Sequence, residues 1–306
     1  MIELIATAES VEQAEKLLEV GIDTLYIGEE TYGLRLPTSF SRLEQENIVK
    51  QAHTAGKKVT VAINGIMHPD KMKNISEYLE FLQNIQVDQL TVGDPGVIFI
   101  MQRDEIKIPY IYDGATLVTN ARQINFWGKR GAIGAVLARE VPYKELVAIS
   151  PKLTIPVEIL VYGATCIHHS KRPLLQNYYN FTKINELKDK ERELFISEPR
   201  KENTHYSIYE DSNGTHIFSN NDINLMGRLD QLISYNYTHW KLDGIYTPGE
   251  NFVSIASLFV QAREKIINKN WTQLEAQLAV EQINQLHPNN RGLDLGFFDI
   301  DPGEIK

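Results

Sequence analysis

Two hydrophobic periodicities alternate along the first 165 residues, and this alternation constrains the fold more than any other feature of the sequence. Short β-rich runs occupy residues 3–6, 24–27, 58–63, 89–92, 110–112, 134–137 and 157–161. Between them, apolar residues recur at helical spacing. Val11, Ala14, Leu17 and Leu18 make one face, Leu43, Ile48, Val49 and Ala52 a second, and Ile75, Tyr78, Leu79 and Leu82 a third. Strands separated by helices and short links pair in parallel. Seven or eight such units close most economically into a ring, so the expected fold is α/β, a (β/α)8 TIM-like barrel. An open doubly wound sheet is the alternative.

Local punctuation agrees with this reading. Ser10 precedes a helical run with Gln13 three residues on, a capping-box pattern. Gly21 and Gly56 follow helical runs, where a left-handed C-cap favours glycine. Asp94-Pro95-Gly96 stands at a strand end, with Pro95 suited to a first helical turn. After Gly163 the pattern changes. Residues 205–209 and 216–218 flank a hairpin-turn signal at 210–214, and the charged segment 183–193 reads as an exposed helix or loop. Helical spacing resumes at 225–232. Lys241-Leu242-Asp243-Gly244 reads as the end of a last strand, and 252–267 as the last barrel helix. The expected organisation is a barrel over 1–268, an insertion at about 164–222, and a short C-terminal extension over 269–306.

Composition narrows the function classes. The 42% hydrophobic content of 306 residues suffices for a real core. A net charge of -9 disfavours general nucleic-acid binding, which needs a positive field, though a local basic patch remains compatible with it. The single cysteine, Cys166, permits no intramolecular disulfide and suits a reducing compartment. The start MIELIATAES lacks a basic n-region and a long apolar run, so a cytoplasmic protein without membrane spans is expected.

Barrel active sites lie at the C-terminal ends of strands. The residues expected there are Gly28, Asn64, Asp94, Asp113, Arg139, Glu140, Gly163 and Asp243, with Cys166 just beyond. Asp94 reads first as an N-cap. Arg139-Glu140 suits either an anionic ligand or a salt bridge closing the mouth. Cys166 and His168, two residues apart in a loop, make a poor nucleophile and base, and Cys166 reads as a small buried apolar residue. His168, His169, His205 and His216 show no metal-ligand spacing, so no metal site is expected. His168-His169-Ser170-Lys171-Arg172 with Tyr178-Tyr179 forms a local basic patch with aromatics, which can hold phosphates while rings stack on bases. Most such loops are merely solvated.

The stretch from Glu158 through Gly163-Ala164 to Cys166 resembles the signature of the collagenase-like U-32 peptidase family. Further similarities follow in chain order: Glu3-Leu4-Ile5-Ala6, Gly21-Ile22-Asp23-Thr24-Leu25-Tyr26-Ile27-Gly28, Leu34-Arg35, Asp94-Pro95-Gly96, Thr119-Asn120 and Leu137-Ala138-Arg139-Glu140. Gly214-Thr215 with Asp222, then Lys241 and Gly244, then Asn290-Arg291-Gly292 with Gly296-Phe297, complete the set. The departures bear on chemistry. The family's second signature cysteine falls at Pro173, another falls at Asn224, and a later cysteine pair has no counterpart between Asn180 and Glu202. Its S-T-Q motif reads Asp113-Gly114-Ala115, and its K-I-E-G-R reads Lys241-Leu242-Asp243-Gly244-Ile245.

In several family members the cysteines are thought to hold an iron–sulfur cluster. The resemblance therefore implies a degenerate member that holds no such cofactor itself, a cluster being supplied by a cysteine-bearing paralogue as partner. Better-understood relatives act in ubiquinone ring hydroxylation and in conversion of the tRNA wobble uridine to 5-hydroxyuridine. Some Gram-positive bacteria carry a short and a long member side by side for the tRNA reaction, and this chain resembles the short one. The implied role is binding and orientation of tRNA, with Arg35, Arg139, Glu140, Glu158, Lys241 and Arg291 as pocket candidates. Two alternatives stand beside it. One is a peptidase, for which Glu158 and His168 are the least poor catalytic candidates, together with Arg139 and Glu140. The other is a structural partner whose barrel mouth is filled by apolar side chains.

Overall fold

The computed structural model describes residues 1–183 and 194–304; the charged segment read at 183–193 falls almost wholly outside them. Eight parallel strands form a closed ring: β1 (Glu3–Thr7), β2 (Thr24–Ile27), β3 (Lys58–Ile63), β4 (Gln89–Val92), β5 (Tyr110–Tyr112), β6 (Ala132–Val136), β7 (Val157–Gly163) and β13 (His239–Leu242). Closure comes from β13, which pairs with β1 on one side (Ile5 beside Lys241) and with β7 on the other (His239 beside Glu158). The expected barrel is thus the observed one.

The outer layer includes α1 (Val11–Glu19), α2 (Arg42–Thr54), α3 (Pro69–Met72), α4 (Ile75–Asn84), α5 (Pro95–Arg103), α6 (Ala121–Gly128) and α7 (Tyr143–Ile149). α1 begins where Ser10 accepts the Gln13 N–H and ends before Gly21, whose φ of 104° favours glycine. The face of α4 buries as its spacing predicts, and that of α1 does so except that Val11 is half-buried and Gln13 is buried beside Ala14, Leu17 and Leu18. In α2 the face is shifted. Leu43 lies in the first turn and is 77% exposed, while Gln45 is buried, donating to the Phe40 carbonyl and accepting from the Tyr78 hydroxyl. A glutamine satisfied at both ends of its amide is tolerated inside.

The chain leaves the ring after β7. It builds a separate four-stranded antiparallel sheet from β8 (Cys166–Ser170), β9 (Phe195–Glu198), β10 (Lys201–Asp211) and β11 (Gly214–Phe218), with α8 (Leu174–Thr182) packed against it. The hairpin signal is the β10–β11 turn, where Asp211 pairs with Gly214. β12 (Asn221–Asn224) then runs antiparallel against the end of β7. α9 (Leu229–Ser234) leads to β13, α10 (Glu250–Ile267) covers the closure, and α11 (Gln273–Leu286) packs on α10. The last strand, β14 (Gly292–Asp294), pairs with β12, so the tail is woven into the insertion's exit. No helix among the described residues is long and apolar enough to cross a membrane.

Two glycines make the excursion possible. At Gly163, φ is +124° and an added Cβ would stand 2.4 Å from the Asp243 carbonyl oxygen. At Gly214, φ is +113° and a Cβ would meet the Ser170 carbonyl at 2.0 Å. The turn it shapes is clamped to the barrel. Asn213 donates to the Glu30 carbonyl at 2.7 Å and accepts from Lys71 Nζ at 2.6 Å, and the Ser212 N–H donates to Glu30 at 2.8 Å. The Gly163→Ala variant is expected to lose roughly 2–3 kcal/mol of stability, from positive φ and backbone overlap together. Urea denaturation followed by circular dichroism reads this; an unchanged midpoint would show that the seam tolerates a side chain.

Candidate functional site at the barrel mouth

A cavity of about 530 Å³ opens at the C-terminal ends of the strands, roofed on one side by β8 of the insertion sheet. Its floor is charged. Lys241 points into the barrel with Nζ 3.2 Å from the Tyr26 ring centroid and 3.4 Å from a Glu158 oxygen. Both members of the pair are buried, at 8% and 3% side-chain exposure. Burial opposes the ammonium, but Glu158 and the other nearby acidic groups outweigh it and hold Lys241 above its ordinary value. Burial also pushes the Tyr26 hydroxyl up to about 12, so that ring faces the ammonium as a neutral π-system. The Glu158 carboxylate has no hydrogen bond, so Lys241 is what compensates its charge.

The rim is set by strand-end residues. Asn64, just past β3, donates to Asp113 at 2.7 Å and accepts the Leu34 N–H at 2.9 Å. Asp113 also accepts the Ala115 N–H at 2.9 Å. Asn64 thereby fixes the loop carrying Arg35, which adopts a left-handed φ of 55°. Such backbone in a non-glycine residue costs of order 1 kcal/mol and marks a position held by its surroundings. Burial works against the Arg35 cation, yet Cys166 and Asp113 prevail and raise it. Across the mouth, Arg139 donates to the Ala164 carbonyl at 2.9 Å and lies 3.9 Å from Asp243. Glu140 is exposed at the same rim. Asp94 lines it too, while its carboxylate caps α5 through the Gly96 N–H, so cap and rim coincide.

Of the residues expected to bind substrate, Arg35, Arg139, Glu140 and Lys241 line this cavity, as does His168. Arg291 does not. It sits behind the insertion, bound to Asp222, the Ser207 hydroxyl and the Ser219 carbonyl, and stacked over Tyr246 at 4.4 Å. Asp222 is wholly buried and needs a counter-charge, which occupies the guanidinium structurally. Glu158 lies inside the barrel beneath Lys241, whereas His168 is exposed on β8, so the two are not brought together as a catalytic pair.

Cys166 differs from its expected role as a buried apolar filler. It is half-buried, lines the cavity, and donates to the His168 carbonyl at 3.2 Å. Its imidazole neighbour is His216 of β11, whose Nε2 binds Asp211 at 3.0 Å. Burial would push the thiol up, but His216, Arg35 and Arg139 outweigh it and bring it below the ordinary value. Reading the sequence weighed His216 only as a metal ligand and residue 211 only as part of a turn, and so missed that the two side chains pair. The signal available was their placement on either side of the hairpin turn.

The donor set does not fit an iron–sulfur cluster held by four thiolates, since Cys166 is the sole cysteine. Pro173 precedes α8, and the Asn224 side chain accepts the Met226 N–H at 3.1 Å. Among the described residues, no group of three or more His, Cys, Asp or Glu is placed to hold a metal ion.

The model of peptidase family U32 matches residues 9–306. The chain belongs to that family. It is 34% identical to tRNA hydroxylation protein P2 of Bacillus subtilis over 97% of both chains. To tRNA hydroxylation protein P1 of the same organism it is 30% identical, over 58% of this chain and 42% of that protein. Among solved structures, the U32 peptidase Mk0906 superposes with a TM-score of 0.52 at 15% identity, covering 79% of this chain and 92% of that one, a likeness of fold. U32 membership accounts for the order of the motifs along the chain.

The buried Lys241–Glu158 pair gives a direct test. Lys241→Met strands a carboxylate inside the barrel and is expected to cost about 3 kcal/mol. Adding Glu158→Gln should recover more than half of that loss. Equilibrium unfolding of the single and double variants measures the cycle; strictly additive losses would mean that the two side chains do not compensate each other.

Proposed function

We propose that this U32 protein is the short member of a tRNA wobble-uridine hydroxylation system, binding and orienting substrate beside a cysteine-bearing paralogue that supplies an iron–sulfur cluster. The observation that carries the reading is an open cavity lined by both cationic and anionic side chains in a chain with a single thiol. Arg35, Arg139 and Lys241 give that cavity its positive side groups. Full-length similarity to a tRNA hydroxylation protein supports the substrate class.

Docking of a polyanion on a chain of net charge -9 requires a local positive surface. Beside the mouth, Lys171 and Arg172 are exposed, with Tyr178 57% and Phe181 86% exposed on α8. Charge with exposed rings suits an RNA single strand. The cavity at Arg139 speaks against a purely structural partner, for which a filled mouth was the expectation.

Deleting the gene in its native host and digesting total tRNA to nucleosides tests the proposal. Loss or strong reduction of 5-hydroxyuridine-derived nucleosides is expected. Complementation with Arg35→Gln should restore less than a tenth of the modification, while Leu43→Gln, far from the mouth on exposed α2 surface, should restore it fully. Unchanged nucleosides in the deletion strain would end the reading.

A further inference from the structure

We infer that Asp113 is the group that makes the barrel-mouth cavity accept a uracil nucleotide and reject a cytosine one, by taking a hydrogen bond from the base at its N3 position. The inference rests on the tRNA reading above and names the residue of that site which selects the base.

The cavity has the size and lining of a single-nucleotide pocket. Its volume of about 530 Å³ is that of a small-ligand site. It holds one nucleotide and not a duplex, so a base must turn out of its strand to enter. Three aliphatic side chains of the lining, Ile66 after β3, Leu117 after β5 and Ile167 of β8, are 46%, 67% and 49% exposed. Apolar groups left open around a polar floor suit the flat faces of a base. Arg35 and Arg139 on the same lining suit its phosphate.

Four carboxylates line this cavity, Asp94, Asp113, Glu140 and Asp243, and their partners separate them by role. Asp94 caps α5 through the Gly96 N–H. Asp243 faces Arg139 at 3.9 Å and accepts the Ile245 N–H at 3.1 Å. Glu140 is exposed to solvent. Asp113, just past β5, is 8% exposed, and its partners are neutral donors: Asn64 at 2.7 Å on Oδ2 and the Ala115 N–H at 2.9 Å on Oδ1. Each oxygen accepts one of these bonds and keeps a second lone pair, so an ionised carboxylate here can take a further donor and can give none. The amide of Asn64 is already spent. Its oxygen accepts the Leu34 N–H, and its nitrogen serves Asp113 and, at 3.4 Å, the Tyr26 hydroxyl. Asn64 therefore holds Asp113 in place and does not compete for the base.

Uracil and cytosine differ at the edge that Asp113 would meet. Uracil carries an N–H at N3 between two carbonyl oxygens; cytosine carries a bare N3 lone pair beside an amino group. The first gives a hydrogen bond to a charged acceptor. The second sets a lone pair against a carboxylate in a partly enclosed site, so the wrong base is repelled as well as unrewarded. Lys241 supports the same choice from the floor. Its ammonium, seated 3.2 Å from the Tyr26 ring centroid, is donor-only and can serve a carbonyl oxygen of uracil but not the amino group of cytosine.

The 5′-monophosphates of uridine, cytidine and N3-methyluridine are the probes, titrated at millimolar concentration into the full chain and followed by isothermal calorimetry. The uridine nucleotide is expected to bind roughly tenfold tighter than the cytidine one, or more, as a site built to pair a particular N–H can supply. The N3-methyl nucleotide keeps the ring and both carbonyls but has no N–H to give, and it should weaken by a similar factor. Asp113→Asn, whose amide can donate to the N3 of cytosine, should abolish or reverse the preference, with circular dichroism confirming the fold. Equal binding of the uridine and cytidine nucleotides by the native protein overturns the inference whether or not the variant folds. Undiminished binding of the N3-methyl nucleotide does the same, and no binding of any probe overturns the nucleotide pocket. A deletion strain that loses its 5-hydroxyuridine-derived nucleosides, beside a native protein that does not discriminate, would sink this inference alone and leave the tRNA reading standing.

Discussion

Everything at the mouth depends on one pairing: β7 lies against β13 although the whole insertion separates them in sequence. That ladder closes the ring, places Glu158 near Lys241, and brings Gly163 against the Asp243 carbonyl. Ring closure over so long a connection carries a loop entropy that grows only slowly with length, so an insertion of this size is tolerated once its two ends are fixed. The ends are fixed by backbone pairing, and the far tip by the Asn213 clamp. The insertion sheet is therefore a wall of the cavity, held by hydrogen bonds at its ends and by packing of Tyr209 and Phe218 against Ala164 and Ile245.

The interior of this barrel is divided. Between strands and helices the packing is aliphatic and aromatic, as in most barrels of the class. Inside the ring a small cluster of Ile5, Tyr26, Leu36 and Ala62 gives way to the Lys241–Glu158 pair and then to the Asn64–Asp113 bridge. Replacing water by fixed partners in a confined space strengthens each of these interactions and lets few side chains set the field. Cationic groups at the floor and rim, compensated by Glu158, Asp113 and Asp243, make a site that is polar without being strongly charged overall.

The ring was legible in the sequence because strand and helix periods differ, and β2 through β5 run over the residues the pattern marks. The rim was legible because parallel barrels put strand ends on one side, so Asn64, Asp94, Asp113, Arg139, Glu140 and Asp243 could be named from position alone. The misreadings share a physical origin. Leu43 was placed by helical spacing and Arg291 by resemblance, but their environments are set by particular contacts: a buried Asp222 claims the arginine, and a satisfied glutamine takes the leucine's place. Cys166 was weighed against the histidine nearest in sequence, whereas antiparallel pairing of β8 with β11 supplies His216. Antiparallel register inside an insertion is not fixed by the periodicity of the barrel around it.

The Arg291–Asp222 contact has a consequence for how the chain matures. Asp222 is buried beside β7, and the guanidinium that neutralises it is 69 residues farther along. During vectorial synthesis the carboxylate emerges 69 residues before the guanidinium, and burying it unpaired in that interval would be costly. The exit of the insertion therefore gains this counter-charge only when the segment leading into β14 is in place, and β14 pairing with β12 closes it.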